Sequence, residues 1–266
     1  MKRLVPGLVM TALWLALLFF GPASLFWLVI LSIASYGLLE FYRMTVASPA
    51  PGMPALIIVI SILPVAASIT ARPEVILGAL FLSLFLLILL VLARSSRIDN
   101  PLHFFGSGCL GTLYISFSLA HLVLIRSLPQ GEGWLLVLTA ITAGGDTGAF
   151  YIGSTLGRHK LCPQISPKKT VEGAIGGICA GMLCAVATAW YFLPQVSPYL
   201  IGLAALLLTV VSIVGDLTES VIKRSVGVKD SGRLLFGHGG VLDRIDSLLI
   251  AGPVLYYLLL LPGFLR

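Results

Sequence analysis

The densest chemistry in this sequence lies between Gly215 and Ser247, a segment we call the charged stretch. Only 11% of the chain is charged, yet these 33 residues hold five carboxylates and five Lys or Arg side chains. Long apolar runs flank the stretch, so each ionised group needs water, a partner of opposite charge or a metal ion. A charge at the centre of a bilayer-spanning helix costs about 2.5–3.5 kcal/mol on insertion scales. The charged stretch is therefore a candidate site.

The carboxylates of the charged stretch recur at helical spacing. Asp216, Glu219 and Ser220 occupy positions i, i+3 and i+4, and Asp243 and Asp246 repeat the first interval. Two antiparallel helices joined by a loop can bring such acidic stripes to face each other at similar depth. Carboxylate oxygens suit Mg²⁺, which shares its remaining positions with water and phosphate oxygens.

Basic residues of the second half of the chain supply the complementary charge. Arg binds phosphate with two parallel hydrogen bonds, and Lys acts as a point charge. The set that could neutralise a polyphosphate is Lys168, Lys169, Lys223, Arg224, Lys229 and Arg244. Two alternatives stay open: intramembrane salt bridges such as Glu219 with Lys223, and simple placement of positive charge on the cytoplasmic side.

Two glycine patterns accompany these charges. The run 237–240, which contains His238, allows backbone to approach a ligand closely before a helix begins, although a tight turn is the more common use. Gly173, Gly177 and Gly181 form a GxxxGxxxG pattern, which allows another helix to pack closely. That second helix belongs either to the same chain or to the partner in a homodimer.

The composition identifies an all-α polytopic membrane protein. Hydrophobic residues make up 58% of the chain, and apolar stretches long enough to cross a hydrocarbon core of about 30 Å recur throughout. We predict one integral membrane domain over 1–266, with apolar scaffold helices in 1–130 and site-bearing helices and cytoplasmic loops in 131–266. About nine spans fit, near residues 4–20, 23–42, 53–70, 74–93, 102–125, 133–156, 171–193, 198–222 and 241–262.

The distribution of basic residues predicts the orientation. With nine spans and a cytoplasmic N-terminus, fourteen of the seventeen Lys and Arg residues lie on the cytoplasmic side. The C-terminus then lies on the opposite side of the membrane. The only Lys or Arg residues on that side are Arg72, Arg126 and Arg266. A missed or invented span would spoil this asymmetry. The net charge of +6 is thereby attributed to topology and anionic lipid, and no nucleic-acid partner is expected.

The charged stretch resembles the signature of the phosphatidate cytidylyltransferase family, also called CDP-diacylglycerol synthases. That signature reads approximately S-x-apolar-K-R-x4-K-D-x-G-x2-L-P-x-H-G-G-x2-D-R-x-D. The matching positions here are Ser220, Lys223, Arg224, Lys229, Asp230, Gly232, Leu235, His238, Gly239, Gly240, Asp243, Arg244 and Asp246. Phe236 stands where the family usually has Pro. The match extends upstream to 166–170 and 146–149, and covers roughly residues 140–250.

The resemblance implies an Mg²⁺-dependent enzyme that converts CTP and phosphatidic acid to CDP-diacylglycerol and pyrophosphate, with room for a second cation. The catalytic residues it implies are Asp216, Asp243, Lys223, Arg224 and Asp246. The substrate-binding residues it implies are Ser166, Lys168, Lys169, Ser220, Lys229, Asp230, His238, Gly239, Gly240 and Arg244. Asp216 and Asp243 are expected to hold the metal, and Asp146 and Asp246 are further candidate ligands.

The chemistry of the substrates agrees with this assignment. The lipid phosphate is already a nucleophile at neutral pH, so catalysis needs positioning and charge neutralisation and no protein base. His238 is therefore assigned to binding. We expect the cytoplasmic membrane of a bacterium, with the site on the cytoplasmic side. The alternatives are a transporter or channel, and another lipid-linked nucleotidyl- or phosphotransferase such as a polyprenol kinase or a CDP-archaeol-forming enzyme.

Overall fold

The computed structural model describes residues 4–46, 52–232 and 239–264. Most of these residues are helical. The helices are α1 (Leu4–Phe20), α2 (Ala23–Thr45), α3 (Met53–Ser61), α4 (Leu63–Ala67), α5 (Pro73–Arg94), α6 (Pro101–Gly111), α7 (Ser118–Arg126), α8 (Gly131–Leu156), α9 (Val171–Phe192), α10 (Pro198–Ser225) and α11 (Leu242–Leu259). Short 3-10 turns follow α4 and α5, and a π-helical turn, Thr112–Phe117, joins α6 to α7.

The membrane-protein class predicted from the sequence is confirmed. Within the described ranges, seven helical segments are long and apolar enough to cross a membrane: Ala23–Thr45, Met53–Thr70, Pro73–Arg97, Pro101–Arg126, Gly131–Leu156, Val171–Phe192 and Pro198–Ser225. The first predicted span corresponds to a shorter apolar helix, Val9–Phe20. The last corresponds to α11, whose first turns carry Asp243, Arg244 and Asp246. The count of nine spans and the orientation stay predictions.

One element departs from an all-α chain. Residues between α8 and α9 form an antiparallel hairpin of β1 (Lys160–Cys162) and β2 (Ser166–Thr170). Lys160 pairs with Thr170 and Cys162 with Ser166, with an irregularity between the two pairs. The hairpin carries the upstream part of the family motif. It therefore gives a fixed backbone to residues for which the sequence predicts only a loop.

The chain folds into two compact units. The first unit comprises Met1–Ser127 and Asp230–Arg244, and the second comprises Leu128–Lys229 and Ile245–Arg266. The boundary after Ser127 lies close to the predicted division at residue 130. Residues 230–244, which carry the second half of the signature, belong to the first unit and not to the site-bearing half. The single domain over 1–266 stays a prediction.

The core of the first unit is built on one face of α2. Phe26, Ile30, Ala34, Leu38 and Phe41 recur every three or four residues and are at most 1% exposed, as expected for an apolar stripe of a helix. Helix breaks nearby are compensated by side chains. At the Pro-containing start of α4, Val65 N–H donates to Ser116 Oγ at 3.2 Å, which satisfies a backbone group inside a candidate membrane span.

The core of the second unit is the close packing of α8 on α9. An ideal Cβ placed on Gly177 would lie 2.8 Å from the Gly145 carbonyl oxygen, and one on Gly181 would lie 3.1 Å from the Ile141 oxygen. Neither position has space for a side chain. The predicted GxxxGxxxG pattern is therefore used within the chain, because its glycines let two backbones approach. A homodimer stays a prediction.

Replacing Gly177 with Ala should destabilise the second unit. The added methyl group would overlap a backbone oxygen that cannot rotate away, and overpacking of this kind typically costs about 1–3 kcal/mol. The measurement is the melting temperature in detergent micelles. Gly202→Ala in α10 is the matched control, because nothing lies within 4 Å of that position. A Gly177→Ala protein that melts at or above the wild-type temperature would contradict the packing described here.

Candidate functional site

The hairpin is anchored to the start of α9 by two side chains. Thr170 caps the helix, since its Oγ1 accepts a hydrogen bond from Gly173 N at 3.1 Å. Glu172 accepts hydrogen bonds from the backbone N–H groups of Arg158 and His159 and contacts His159 Nδ1 at 2.6 Å. These bonds join both ends of the hairpin to one helix. The basic residues of β2 are thus held in place.

A pocket of about 430 Å³ opens in the second unit between α8, the hairpin, α9 and α10. Four of the predicted site residues line it: Asp146, Lys168, Lys169 and Asp216. Hydroxyl groups lie beside them, on Thr142, Ser154, Thr170, Thr209 and Ser212. Gly145 and Gly177, which belong to the α8–α9 contact, form part of the same wall. The packing that closes the two helices together therefore also shapes the pocket.

Lys169 and Asp216 form an ion pair across this pocket, between Nζ and Oδ2. Their side chains are 25% and 30% exposed, so both remain accessible to a ligand. The ammonium group of Lys169 is suited to a phosphate oxygen. The carboxylate of Asp216 is suited to a hard cation. The pair thus places a group that can bind phosphate beside a group that can bind a metal ion.

Two further carboxylates lie close to Asp216 within the second unit. Asp246 on α11 interacts electrostatically with Asp216, Asp146 and Lys223. α10 and α11 approach closely here, because an ideal Cβ on Gly215 would lie 2.7 Å from the Asp246 carbonyl oxygen. Like charges gathered at low dielectric cost free energy unless a cation offsets them. No group of three or more His, Cys, Asp or Glu in the described ranges has the arrangement of a metal centre.

The salt bridge between Glu219 and Lys223, one of the alternatives considered from the sequence, is present. Lys223 Nζ contacts Glu219 Oε2 at 2.5 Å, and the Glu219 side chain is fully buried. Arg224 is exposed and donates from Nε to the Ile165 carbonyl oxygen at 3.5 Å and from an Nη atom to the Val228 carbonyl oxygen at 3.2 Å. Lys223 is thus paired with a buried carboxylate, whereas Arg224 ties α10 to the hairpin turn. Their catalytic roles stay predictions.

In the first unit, Asp243 organises the chain that precedes α11. Its Oδ2 accepts hydrogen bonds from Gly240 N at 2.7 Å and from Ser231 N at 3.1 Å. Gly239 adopts a φ of 79°, and a Cβ there would lie 2.5 Å from the same carboxylate oxygen. Glycine at position 239 therefore leaves the space in which the Asp243 carboxylate reaches the backbone. The motif encodes this turn as well as the charge.

The structure brings some predicted residues together and separates others. Asp146, Lys168, Lys169, Asp216 and Asp246 gather in the second unit. Ser220, Lys223, Arg224 and Lys229 of the signature also belong to the second unit. The later signature residues that the structure describes belong to the first unit: Asp230, Gly232, Gly239, Gly240, Asp243 and Arg244. Ser166 lies at the start of β2, Ser220 is half-buried on α10, and Lys229 is exposed. His238 lies outside the described residues.

Two carboxylates with structural roles at these sites are not revealed by the sequence pattern. Glu172 reads only as an acid at the edge of a span, yet it holds the hairpin. Glu40 falls in the predicted apolar scaffold, yet it is 3% exposed and contacts the signature segment of the first unit. Each lies within one or two residues of the end of a predicted span. The available signal is an acidic residue beside a long apolar run.

Comparisons with known proteins cover nearly the whole chain. A family model described as "Cytidylyltransferase family" matches residues 1–261. The phosphatidate cytidylyltransferase of Bacillus subtilis is 35% identical over 271 residues, which cover 98% of this chain and 97% of that protein. The proteins of the same name from Synechocystis and Pseudomonas aeruginosa are 45% and 40% identical over 139 and 156 residues. Those two alignments cover 52% and 58% of this chain, and 47% and 58% of the relatives.

Proposed function

The chain belongs to the cytidylyltransferase family, and we propose that it is a membrane-embedded phosphatidate cytidylyltransferase. It transfers the cytidylyl group of CTP to phosphatidate, giving CDP-diacylglycerol and pyrophosphate. The observation that carries this proposal is the pocket of the second unit, where Lys168 and Lys169 lie with Asp146 and Asp216. Two lysines beside two carboxylates suit a phosphate group together with a cation. The full-length similarity to the Bacillus subtilis enzyme supports the same reaction.

The reaction forms one phosphorus–oxygen bond and breaks another. An oxygen of the phosphatidate phosphate attacks the α-phosphorus of CTP, and the bond between that phosphorus and the bridging oxygen to the β-phosphorus breaks. The bonding electron pair leaves with pyrophosphate. The phosphate monoester is ionised at neutral pH, so no proton has to be removed from the nucleophile. The protein contributes alignment of the two substrates and positive charge against the phosphates.

We propose that Mg²⁺ is the cofactor. The donor chemistry fits an ion that takes one or two protein carboxylates and completes its shell with water and phosphate oxygens. Asp146 and Asp216 line one pocket, and Asp246 lies on α11, which packs against α10 at Gly215. When bound, the ion neutralises negative charge on the phosphates. The family motif also assigns Asp243, which belongs to the first unit. A second cation stays a proposal. Lys169 would hold a phosphate oxygen once its pairing with Asp216 is relieved.

We propose nine spans, a cytoplasmic N-terminus and a location in the bacterial cytoplasmic membrane. The asymmetry of Lys and Arg supports the orientation, because most of them fall in loops that would face the cytoplasm. That side supplies CTP. The lipid tails of the substrate would stay in the bilayer while its phosphate enters the pocket. Phe150, an apolar residue at the pocket wall that is 69% exposed, is suited to contact such tails.

The reaction can be tested with purified protein in mixed micelles. Pyrophosphate release is measured with each nucleoside triphosphate, with and without phosphatidic acid and with and without Mg²⁺. We expect release only when CTP, phosphatidic acid and Mg²⁺ are all present, and its loss when EDTA removes the metal. Release with CTP and a different lipid would reassign the acceptor. Folded protein that releases no pyrophosphate with any nucleotide would overturn the proposed function.

A further inference from the structure

A buried acid interrupts the apolar helix on which the first unit is built. Glu40 lies near the end of α2, directly before Phe41, and only 3% of its surface is exposed. An ionised carboxylate in such surroundings is costly unless hydrogen bonds or a charge stabilise it. The proposed reaction does not involve this residue directly. Its contacts therefore need an explanation of their own.

The hydrogen bonds of Glu40 lead to the signature segment. Its Oε2 accepts hydrogen bonds from Leu242 N at 2.9 Å and from Ser231 Oγ at 3.2 Å. Leu242 is the first residue of α11, where a backbone N–H has no partner inside the helix. A carboxylate there satisfies that group and is favoured by the partial positive charge of the helix start. Glu40 thus holds the start of α11.

Two signature glycines form a cradle around the same carboxylate. An ideal Cβ on Gly232 would overlap Glu40 Oε1, and one on Gly240 would lie 2.6 Å from that oxygen. Oε1 is buried and has no hydrogen-bond partner among the described residues. The side chain of Glu40 thus occupies space that any residue other than glycine would need. This explains why glycine suits both positions even though neither has a positive φ.

Glu40 and Asp243 hold the same short segments of chain. Asp243 binds the backbone N–H groups of Ser231 and Gly240, while Glu40 binds the Ser231 hydroxyl and the Leu242 N–H and packs on Gly240. The two carboxylates therefore fix the backbone at Ser231 and at Gly240 together. Moving one of them would move the backbone that orients the other.

We propose that Glu40 is a positioning residue for the cytidylyl-transfer reaction. Its buried carboxylate fixes Ser231, Gly240 and the start of α11, and through them the orientation of Asp243. The kinetic part of this inference rests on the proposed function, because it needs a reaction to measure. The structural part does not, because the hydrogen bonds of Glu40 can be followed without substrate.

Three variants test the proposal. Glu40→Ala removes both hydrogen bonds, Glu40→Gln keeps an oxygen that can accept them, and Tyr42→Phe is the matched control. Tyr42 is a buried residue of the same helix, and its hydroxyl bonds to Ser61 Oγ on α3 at 2.6 Å. The hydroxyl also donates to the Gly108 carbonyl oxygen on α6 at 3.3 Å. The control therefore removes buried hydrogen bonds from α2 without touching the segment that Glu40 holds.

The kinetic result expected for Glu40→Ala is a loss of about 100-fold in kcat, the usual scale for a misplaced reacting group. The KM for phosphatidate should change by less than about threefold, because substrate binding is not removed. Glu40→Gln should recover at least about tenfold of the loss, and Tyr42→Phe should stay near wild type. A folded Glu40→Ala protein with wild-type kcat would overturn the proposal. If that variant does not fold, Glu40→Asp replaces it, because the shorter side chain withdraws the carboxylate.

The structural result is read by hydrogen exchange in micelles without substrate. Glu40→Ala should speed exchange at the Ser231, Gly240 and Leu242 amides, and Tyr42→Phe should leave them unchanged. Unchanged exchange in Glu40→Ala would overturn the proposal even if kcat fell. If the wild-type protein fails to use CTP and phosphatidate, the proposed function falls. Exchange alone then decides whether Glu40 fixes this segment.

Discussion

Asp243→Asn is expected to lower kcat by about 10²–10³-fold, the scale seen when one preorganised electrostatic group is removed from an active site. Asn has nearly the same shape as Asp, and its carbonyl oxygen can accept the hydrogen bonds that Asp243 Oδ2 takes from Ser231 N and Gly240 N. The turn before α11 should therefore persist while the negative charge is lost. The measurement is CTP-dependent pyrophosphate release with saturating phosphatidic acid.

A second substitution at the same position separates charge from backbone support. Asp243→Ala removes both acceptor functions, so hydrogen exchange at Ser231 and Gly240 should become faster, whereas Asp243→Asn should leave it near the wild-type rate. Glu74→Gln is the control for a lost carboxylate, since that side chain is exposed at the start of α5. An Asp243→Asn protein within about tenfold of wild-type kcat would remove Asp243 from the catalytic set.

The helices could be predicted from the sequence, because a helix that crosses a bilayer needs an apolar run of a given length. The long apolar runs are helical, although 53–70 and 102–125 are each divided into two helices, and prolines mark the first positions of α5, α6 and α10. The β-hairpin could not be predicted in this way. Its strands are three and five residues long, and one contains Pro167, so neither shows the alternation that identifies a strand. The hairpin is held by Glu172, whose hydrogen bonds to Arg158 and His159 leave no recognisable pattern in the local sequence.

Candidate site residues could be chosen from the sequence, but the contacts that these residues make could not. Motif spacing identified Asp146, Lys169 and Asp216, and all three line one pocket. The contacts of Glu40 could not be foreseen, because its partners Ser231 and Leu242 lie 191 and 202 positions away. A lone acid near the end of an apolar run usually indicates the water interface. Glu40 is instead buried, and the burial of a side chain depends on the fold, which the local sequence does not reveal.

The ion pair between Lys169 and Asp216 makes the second large prediction. Asp216→Asn should lower kcat by about 10²–10³-fold and raise the Mg²⁺ concentration for half-maximal activity by at least about tenfold. Lys169→Met should change different kinetic parameters. Losing the ammonium group weakens CTP binding, so the KM for CTP rises, while the Mg²⁺ requirement stays level or falls because Asp216 no longer has a competing cation.

The double variant decides whether Asp216 does more than hold Lys169. If pairing were its whole role, Asp216→Asn would cause no further loss once Lys169 is already Met, because residues that act as one unit are not additive. If Asp216 also binds the metal, its replacement should still raise the Mg²⁺ requirement in that background. Lys160→Met is the control, since Lys160 is an exposed lysine of the same hairpin that does not line the pocket. An unchanged Mg²⁺ requirement in every Asp216→Asn protein would leave the residue as a partner of Lys169 and exclude it as a metal ligand.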